Sequence, residues 1–410
     1  MSTIFDVAKE AGVSITTVSR ALNGYSDVNE ATRLRVVEIA RALDYYPSAV
    51  ARNLQRRRTD TIAFAPLIDE HAESERFFKE FLGLLTLSAF HHNLSLLATV
   101  ADSPGHSGEI YRELAGSGRV DGVILADIRP QDERIPLLRS LGLPFVSFGR
   151  TADAEGRTYP FVDVDNEAGM RSVVEYLVSK GHRRIAYLSA PFTTSYSVHR
   201  YSGYREGMKQ HGLPVDERLV IVNLQNRADT VGAVDRLFTF EKEEGNRSFE
   251  GDGGAQPAPA VRPTAIVAAN DNLALEVVRE IHDRGIAVGS APGSIAVTGF
   301  DDLPFAEYVH PTLTTVRQPM AAIADIILDL LVLIIKSKTE SKKKPPSGAR
   351  AITATGQGQE QSEQSHRGDQ ERATRFEEDP EADPKVSSHI KRIGPMQVLV
   401  VPELVARDSA

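Results

Sequence analysis

The stretch that constrains this chain most is Thr3 to Leu22, which has the pattern of two short helices joined by a tight turn. Ala8 stands four residues before Gly12, so two helix backbones can approach closely and the turn has a residue that tolerates a positive φ. Ser14 can cap the second helix, because its hydroxyl can accept the free N–H groups of the first turn. The pattern predicts a helix-turn-helix.

The second helix of this motif has one buried and one exposed side. Four apolar residues are expected to pack between the two helices, namely Val7, Val13, Val18 and Ala21. The residues left exposed form a short, mostly polar face that ends in a guanidinium and suits the DNA major groove. This face comprises Ile15, Thr16, Thr17, Ser19 and Arg20. A helical hairpin inside an enzyme is the alternative, but the agreement of the small, glycine and valine positions favours DNA binding.

A third helix is predicted over Glu30–Leu43, with Asn29 as its cap, which completes a small bundle. Its expected apolar set is Ala31, Leu34, Val37, Ile39, Ala40 and Leu43. The following heptapeptide, Ser48–Leu54, is too short to persist as a helix alone in water. It precedes the basic run Gln55–Arg58, and we expect it to fold only when something holds it.

Charge is distributed unevenly along the 410 residues. The whole chain carries a net charge of −9, whereas residues 1–58 contain nine basic and six acidic side chains. This asymmetry indicates a DNA-binding head on an acidic body. The chain has no cysteine, which excludes disulfides, cysteine-ligated zinc and thiol catalysis and is compatible with a reducing cytoplasm.

The N-terminus is polar and enters the first predicted helix at once, so no signal peptide is expected. The most apolar run, Ile323–Ile335, carries Asp325 and Asp329 and is too short to span a bilayer. We therefore predict a cytoplasmic protein with no membrane association, in which this run is a helix buried on one side.

Beyond residue 60, short β-branched runs alternate with helical stretches, a pattern typical of parallel sheets covered by helices on both faces. The pattern runs through Phe145–Phe148 and begins again at Phe161–Val164. Two successive blocks predict two such sheets.

Several motifs, taken in order, resemble the LacI/GalR family of bacterial transcription regulators. At the N-terminus they are DVAKEAGVSITTVSRALNG and YYPSAVARNLQRRRTDTIA. In the body they are RVDGVIL (119–125), VDVDNEAG (162–169), GHRRIAYL (181–188), HRYSGYREGM (199–208), AIVAANDNLAL (265–275), IAVTGFDDLPFAEY (295–308), PTLTTVRQP (311–319) and VLVVPELVARDS (398–409), the last expected to be a strand pair.

The resemblance implies a helix-turn-helix head with a hinge helix, then an α/β periplasmic-binding-protein-like body of two Rossmann-like subdomains with three crossing strands. The expected divisions are the head at 1–46, the hinge helix and basic linker at 47–58, a first subdomain at 59–158 plus 319–335, and a second at 159–318 plus 396–410. Residues 241–263 are expected to form a loop. Residues 336–395 have too few apolar residues to bury and are predicted to be a disordered insertion.

For DNA, the resemblance implies base contacts from Ile15, Thr16 and Arg20, although Arg20 could instead pair only with phosphate. Five further polar residues suit phosphate contacts, namely Thr3, Ser14, Thr17, Ser19 and Asn23. In the hinge, Leu54 matches the family's minor-groove wedge, and Ala51 would pack the paired hinge helices of a dimer.

For a small effector, the resemblance implies a cleft between the subdomains, in which Arg200 and Asp301 face each other and grip sugar hydroxyls. An interdomain salt bridge without ligand is the alternative for this pair. Asn270, Asp271 and Tyr196 are the expected lining. The aromatic pair Phe77 and Phe78 is equally compatible with core packing. Many family members have an aspartate near Gly149 that contacts the ligand. In this chain Arg150 follows Gly149, so either Arg150 makes that contact or the contact is absent.

No enzyme signature is found, neither a glycine-rich nucleotide fingerprint, nor a P-loop, nor HExxH. His91 and His92 have no third ligand in the pattern, so no metal and no cofactor is predicted. The expected function is a homodimeric repressor that binds a pseudo-palindromic operator and is released by a carbohydrate. A corepressor-dependent regulator with a purine-type ligand, and a non-regulatory sugar-binding protein, remain the alternatives.

Overall fold

The structure is a computed structural model that describes residues 2–25, 27–45, 58–66, 75–101, 103–151, 158–244, 262–343 and 390–410. The chain divides into two compact units. One holds the residues up to Thr61 with Gly118–Asp121, and the other holds Ile62–Ser117 with Gly122–Ala410. The predicted hinge helix lies outside the described residues.

The head is a bundle of three helices, α1 (Ile4–Ala11), α2 (Ile15–Leu22) and α3 (Glu30–Ala42). The turn after α1 depends on Gly12, whose φ of 62° favours glycine. Ser14 caps α2 by accepting a hydrogen bond of 3.1 Å from the Thr17 N–H. The predicted helix-turn-helix is confirmed.

The core of the head differs in part from the predicted one. It is built from Val7, Ala8, Ala11, Val18, Ala21, Val28, Val36 and Ala40, while Val13 is partly buried at its edge. On α3 the prediction was wrong at Leu34, which is 63% exposed, and at Ala31, which is exposed, whereas Val36 is fully buried. The reason is geometric: two residues turn a helix by about 200°, so Val36 and Leu34 lie on opposite sides.

The body contains two main sheets, in agreement with the predicted fold class. The first has seven strands in the order β11-β12-β5-β4-β3-β1-β2, and the second has four in the order β7-β6-β8-β9. The first sheet comprises β1 (Thr61–Phe64), β2 (Ser95–Ala98), β3 (Gly122–Leu125), β4 (Phe145–Phe148), β5 (Phe161–Val164), β11 (Ile390–Gly394) and β12 (Gln397–Val400). The second comprises β6 (Ile185–Leu188), β7 (Val220–Ile221), β8 (Ala265–Ala268) and β9 (Ala296–Thr298).

Helices accompany each sheet, and we call each sheet with its helices a lobe. The first lobe has α4 (Glu75–His91), α5 (Pro104–Ser117), α6 (Arg134–Ser140) and α11 (Met320–Lys343). The second has α7 (Asn166–Ser179), α8 (Ser195–Gln210), α9 (Arg227–Glu244) and α10 (Asp271–Asp283). Strands β10 (Thr315–Arg317) and β13 (Glu403–Val405) form an antiparallel pair, and 3₁₀ turns cover Glu217–Leu219 and Pro304–Glu307. No helix among the described residues is long and apolar enough to cross a membrane.

The sequence-based division between the two sheets was wrong at β5 and β12. Strand β5 pairs in parallel with β4 and with β12, so both belong to the first sheet rather than the second. The predicted final strand pair is also not a pair, because β12 joins the first sheet and β13 joins β10. A hydrophobic run predicts that a strand exists, but its neighbours are decided by tertiary packing.

Within the described residues, the chain passes between the lobes three times: after β5, after β10 and after β12. This matches the three crossings that the family resemblance implied. The remaining subdomain limits stay predictions.

The two segments predicted to be irregular are shorter than expected. Helix α9 continues to Glu244 and helix α11 to Lys343, and β11 occupies residues 390–394 as the antiparallel neighbour of β12. Four of the eight residues from 336 to 343 are lysine, which favours a helix without needing a core. Residues 245–261 and 344–389 of these segments lie outside the described residues.

Gly203 of α8 allows α8 to pack closely against α7, and this predicts a test of the second lobe. A Cβ at Gly203 would lie 2.5 Å from the Glu167 carbonyl oxygen and 2.7 Å from its Cα. We expect Gly203→Ala to lower the free energy of unfolding by about 1–3 kcal/mol or more, because two backbones must separate. The measurement is urea unfolding followed by circular dichroism.

The matched control is Gly232→Ala in α9, where a Cβ would meet nothing within 4 Å. That variant should be unchanged or up to about 1 kcal/mol more stable, since alanine favours a helix. Equal stabilities of the two variants would contradict the close-packing explanation.

Candidate functional site

A cavity lies beside the points where the chain crosses between the lobes. Its walls come from the carboxyl ends of β3, β4 and β5 and from the N-termini of α7, α8 and α10. Strand ends in a parallel sheet are where ligand sites form, because loops and helix N-termini converge there. The lining is Phe77, Phe78, Asp127, Ile128, Phe148, Gly149, Asp163, Val164, Asn166, Ser195, Tyr196, Arg200, Asn270, Asp301 and Gln318.

Arg200, which is 4% exposed, is the polar centre of this cavity. Its Nε donates to Asn166 Oδ1 at 2.9 Å, its Nη1 to the Ala269 carbonyl at 2.7 Å, and its Nη2 to Asp301 Oδ1 at 2.9 Å. The guanidinium carbon lies 3.8 Å from the ring centroid of Phe300. These contacts satisfy a buried cation that would otherwise be costly.

The sequence prediction that Arg200 and Asp301 face each other across the cleft was wrong. Arg200 lies on α8 and Asp301 follows β9, so both belong to the second lobe and already form an ion pair. Asp301 Oδ1 also accepts a hydrogen bond of 2.6 Å from Gln318, which precedes α11 of the first lobe. The alternative of an interdomain salt bridge is also wrong, because both residues lie in the second lobe. The contact between the lobes at this point is the hydrogen bond from Gln318 to Asp301.

Aromatic rings form the apolar part of the lining. Phe77 and Phe148 are stacked, with centroids 6.0 Å apart and planes at 11°, and Phe78 packs edge-on against Phe77. Tyr196 lies on the other lobe, its ring centroid 5.0 Å from the Arg200 guanidinium carbon. Phe77 and Phe78 therefore both line the cavity and pack in the core, so the two interpretations of this pair do not exclude each other.

A second polar cluster borders the cavity at Asp163, which lies in the VDVDNEAG motif (162–169) and was not predicted as an effector residue. Its Oδ2 lies 3.4 Å from Arg150 Nη1 and 4.0 Å from His199 Nδ1. None of these three buried atoms has a hydrogen-bond partner among the described residues. Burial raises the pKa of Asp163 to about 7, against the opposing effect of Arg150. Burial and Arg150 lower the pKa of His199 to about 4, so its ring is neutral at pH 7.

Two predicted effector residues lie outside the lining. Asp271 is fully buried, and its carboxylate accepts hydrogen bonds from Thr315 Oγ1 at 2.5 Å and from the Leu303 N–H at 2.8 Å. The prediction that it lines the cleft was wrong, because it is used to hold two loops together. Arg150 is not among the lining residues, although its Nη1 lies 3.4 Å from Oδ2 of Asp163, which is. Its own contact with a ligand stays a prediction, as do those of the six predicted residues that do line the cavity.

The lining residues at the carboxyl ends of strands in the first lobe were not predicted from the sequence. Asp127 follows β3, Gly149 follows β4, and Asp163 is the third residue of β5. The rule that ligands bind at the carboxyl ends of parallel strands could have found them. The other missed residues are Ile128, Phe148, Val164, Asn166, Ser195 and Gln318.

In the head, the predicted DNA-contacting residues fall into two groups. Ile15 and Thr16 are exposed on α2, and Arg20 pairs with Asp27 of the following loop. Several others already make local hydrogen bonds: Thr3 with Asp6, Ser14 with Thr17, and Asn23 with the Ser19 carbonyl. Ala51 and Leu54 lie outside the described residues. All DNA contacts stay predictions.

The structure defines a two-lobed α/β body with a cavity, in a chain that also carries a helix-turn-helix head. Three family models match it: bacterial regulatory proteins of the lacI family over residues 3–48, the periplasmic binding proteins and sugar binding domain of the LacI family over 69–243, and the periplasmic binding protein-like domain over 174–355. The HTH-type transcriptional regulator AglR of Rhizobium meliloti (strain 1021) is 35% identical over 319 residues, which are 77% of this chain and 83% of AglR. The chain belongs to the LacI family of bacterial regulatory proteins.

Solved structures share the fold. The transcriptional regulator CelR–cellobiose complex has a TM-score of 0.62 at 24% identity, over 100% of both chains. The lac repressor dimer bound to operator and the anti-inducer ONPF has a TM-score of 0.68 at 20% identity, over 100% of this chain and 98% of the repressor chain.

The buried carboxyl of Asp163 predicts a defined pH dependence. Its pKa is about 7 in the folded chain against an ordinary value of 3.8, so the folded state binds this proton more tightly. The stabilising contribution is therefore complete below pH 3.8 and is lost as the pH rises toward 7. We expect Asp163→Asn to match the wild type near pH 4. As the pH rises from 4 to 7, the free energy of unfolding of the variant should increase relative to that of the wild type by on the order of 1 kcal/mol per pH unit.

The measurement is urea unfolding of both proteins at a series of pH values. Asp216→Asn is a control of opposite sign, since hydrogen bonds from Arg218 lower the pKa of Asp216. That variant should lose stability relative to the wild type above the ordinary pKa. A stability difference for Asp163→Asn that does not change with pH would show that the carboxyl is not protonated on folding.

Proposed function

We propose that this protein is a homodimeric transcription repressor that binds a pseudo-palindromic operator and is released from it by an uncharged carbohydrate bound in the cavity. The observation that carries the proposal is a cavity with walls from both lobes, in a chain that also carries a helix-turn-helix head. A ligand there contacts both lobes, so it can favour one arrangement of them over another. A coupling free energy of about 1–3 kcal/mol would change operator affinity 5–150-fold.

The charges of the lining support an uncharged ligand. Among the described lining residues the one arginine, Arg200, is already paired with Asp301, and two further acidic side chains, Asp127 and Asp163, also line the cavity. An anionic ligand would find no unpaired cation among these residues, whereas hydroxyl groups can donate to carboxylate oxygens. The rings of Phe77 and Phe148 offer a flat apolar surface to the C–H face of a sugar. CelR was solved with cellobiose on this fold, which supports the class of ligand without identifying it.

A purine-type corepressor is the second candidate, favoured by the same stacked rings, which could also hold a planar base. It differs in the sign of the response, because a corepressor tightens operator binding. A sugar-binding protein without regulatory function would show no sequence-preferring DNA binding at all.

Fluorescence anisotropy with the DNA upstream of this protein's own gene separates these functions. The titrants are glucose, sucrose, maltose, trehalose and cellobiose as uncharged sugars, glucose 6-phosphate and glucuronate as anions, and adenine and hypoxanthine as bases. We expect an uncharged sugar to weaken binding 5–150-fold. Release by an anion alone would refute the charge argument, tightening by a base would favour corepression, and no preference for this DNA would refute the regulator.

In the same assay, Phe77→Ala should raise the sugar concentration needed for release about tenfold, since a ring contact is worth roughly 1–1.5 kcal/mol. Operator affinity without sugar should stay within about twofold, as Phe77 lies on α4 of the body. Tyr308→Ala is the control, because Tyr308 is 78% exposed and outside the lining. An unchanged sugar response of Phe77→Ala would place the ligand elsewhere.

An exposed apolar stripe supports the homodimer. Leu87 and Phe90 lie three residues apart on α4, so they share one side of the helix, and they are 54% and 74% exposed. Large apolar side chains grouped on a surface are typical of protein interfaces. A twofold-symmetric pair of heads would read the two half-sites of a pseudo-palindrome.

We therefore expect Phe90→Glu to shift the protein from dimer to monomer in sedimentation velocity and to weaken operator binding at least tenfold, because a buried unpaired carboxylate opposes association. The matched control is Ile393→Glu, a similar change on β11 at a side chain that is 53% exposed. It should remain a dimer. Dimers of equal stability in both variants would exclude the α4 stripe as the interface.

A further inference from the structure

The predicted base-reading arginine of the head is held by the loop that follows its helix. Arg20 Nε donates to Asp27 Oδ1 at 3.1 Å, and Arg20 Nη2 pairs with Asp27 Oδ2. The guanidinium carbon also lies 4.8 Å from the ring centroid of Tyr25. A carboxylate along one edge and an aromatic ring near the guanidinium restrict its orientation in two ways at once.

The loop is itself anchored to the bundle. The Tyr25 N–H donates to the Arg20 carbonyl at 3.1 Å, and Arg33 of α3 donates to the Tyr25 carbonyl at 2.7 Å. Val28 is buried in the core of the head, and Asn29 caps α3 by accepting from the Ala31 N–H at 2.9 Å. Asp27 therefore stands between anchored residues and offers a fixed carboxylate to Arg20.

The geometry leaves the reading edge of Arg20 available. A guanidinium has five N–H donors, and Asp27 occupies the side edge formed by Nε and one N–H of Nη2. The end edge, with one N–H from each of Nη1 and Nη2, is left by Asp27, and this pair of donors can bind guanine O6 and N7. The carboxylate can thus orient the arginine without competing for the base.

An acid at this place weakens attraction to phosphates, so affinity alone does not explain it. We propose that Asp27 is a positioning residue that directs the end edge of Arg20 onto a guanine and so determines specificity. This inference rests on the proposed function of the head as a sequence-specific DNA reader and goes beyond it by assigning a role to a residue that touches no base.

The test is in vitro selection from a randomised duplex library with the full chain, followed by binding measurements on the selected sites and on a non-selected duplex. Arg20→Ala identifies the base pair that Arg20 reads, as the position whose guanine preference falls by about 5- to 150-fold. Asp27→Asn should weaken the preference at that position by about two- to fivefold, the range of an exposed ion pair. Preferences elsewhere should not change, and affinity for the non-selected duplex should stay equal or rise, since a negative charge is lost.

Glu30→Gln is the matched control. It removes one acid three residues away, whose carboxylate faces Arg33 rather than Arg20, and it should keep the guanine preference of the wild type. Thermal unfolding confirms that each variant is folded.

Each other outcome counts against one of the two proposals. A uniform loss of affinity at all positions in Asp27→Asn would indicate a structural role and overturn the inference. A sharper guanine preference in Asp27→Asn would also overturn the inference, because it would mean that Asp27 competes with the base. Equal base preferences of Asp27→Asn and Glu30→Gln would overturn it as well. If the wild type selects no motif, the proposed regulator function fails instead.

Discussion

The buried guanidinium of Arg200 is the constraint on which the second lobe and the cavity depend. A cation that is 4% exposed needs hydrogen-bond acceptors, and each of its three nitrogens has one, from Asn166 of α7, from Ala269 after β8 and from Asp301 after β9. Asp301 then accepts a second hydrogen bond from Gln318, at the crossing toward α11. The Arg200 guanidinium therefore connects the elements of the second lobe around the cavity, and the polar part of the cavity lies beside a crossing between the lobes.

In this arrangement a ligand that contacts Asp301 would also change the hydrogen bonding between elements of the two lobes. Asp301 already shares its Oδ1 between Arg200 and Gln318, so a hydroxyl that competes for this oxygen would weaken a bond between elements that the chain connects across the lobes. Asp163 offers the opposite case, since its Oδ2 has no hydrogen-bond partner among the described residues. A ligand would satisfy that oxygen rather than disturb it, which supplies binding energy of its own.

The head follows a different design, because its contacts are local. Caps at Ser14 and Asn29 and the positive φ of Gly12 set the three helices, and the Arg20–Asp27 pair spans seven residues. Local interactions of this kind are encoded in short stretches of sequence, which is why the helix-turn-helix could be predicted in detail. The exceptions are Leu34 and Ala31 of α3, which are exposed, because packing decides which apolar side chains of that helix are buried.

The sequence by itself determined the caps of the head and the alternation of strands and helices, because periodicity and capping depend on near neighbours. Six of the eight predicted effector residues line the cavity, and these came from the resemblance to the LacI/GalR family rather than from periodicity. Only the tertiary structure decided that β5 and β12 join the first sheet, that Arg200 and Asp301 share one lobe, and that Asp271 is fully buried. These facts depend on which distant strand ends meet, and a sequence pattern does not record the partners of a strand or of a buried charge.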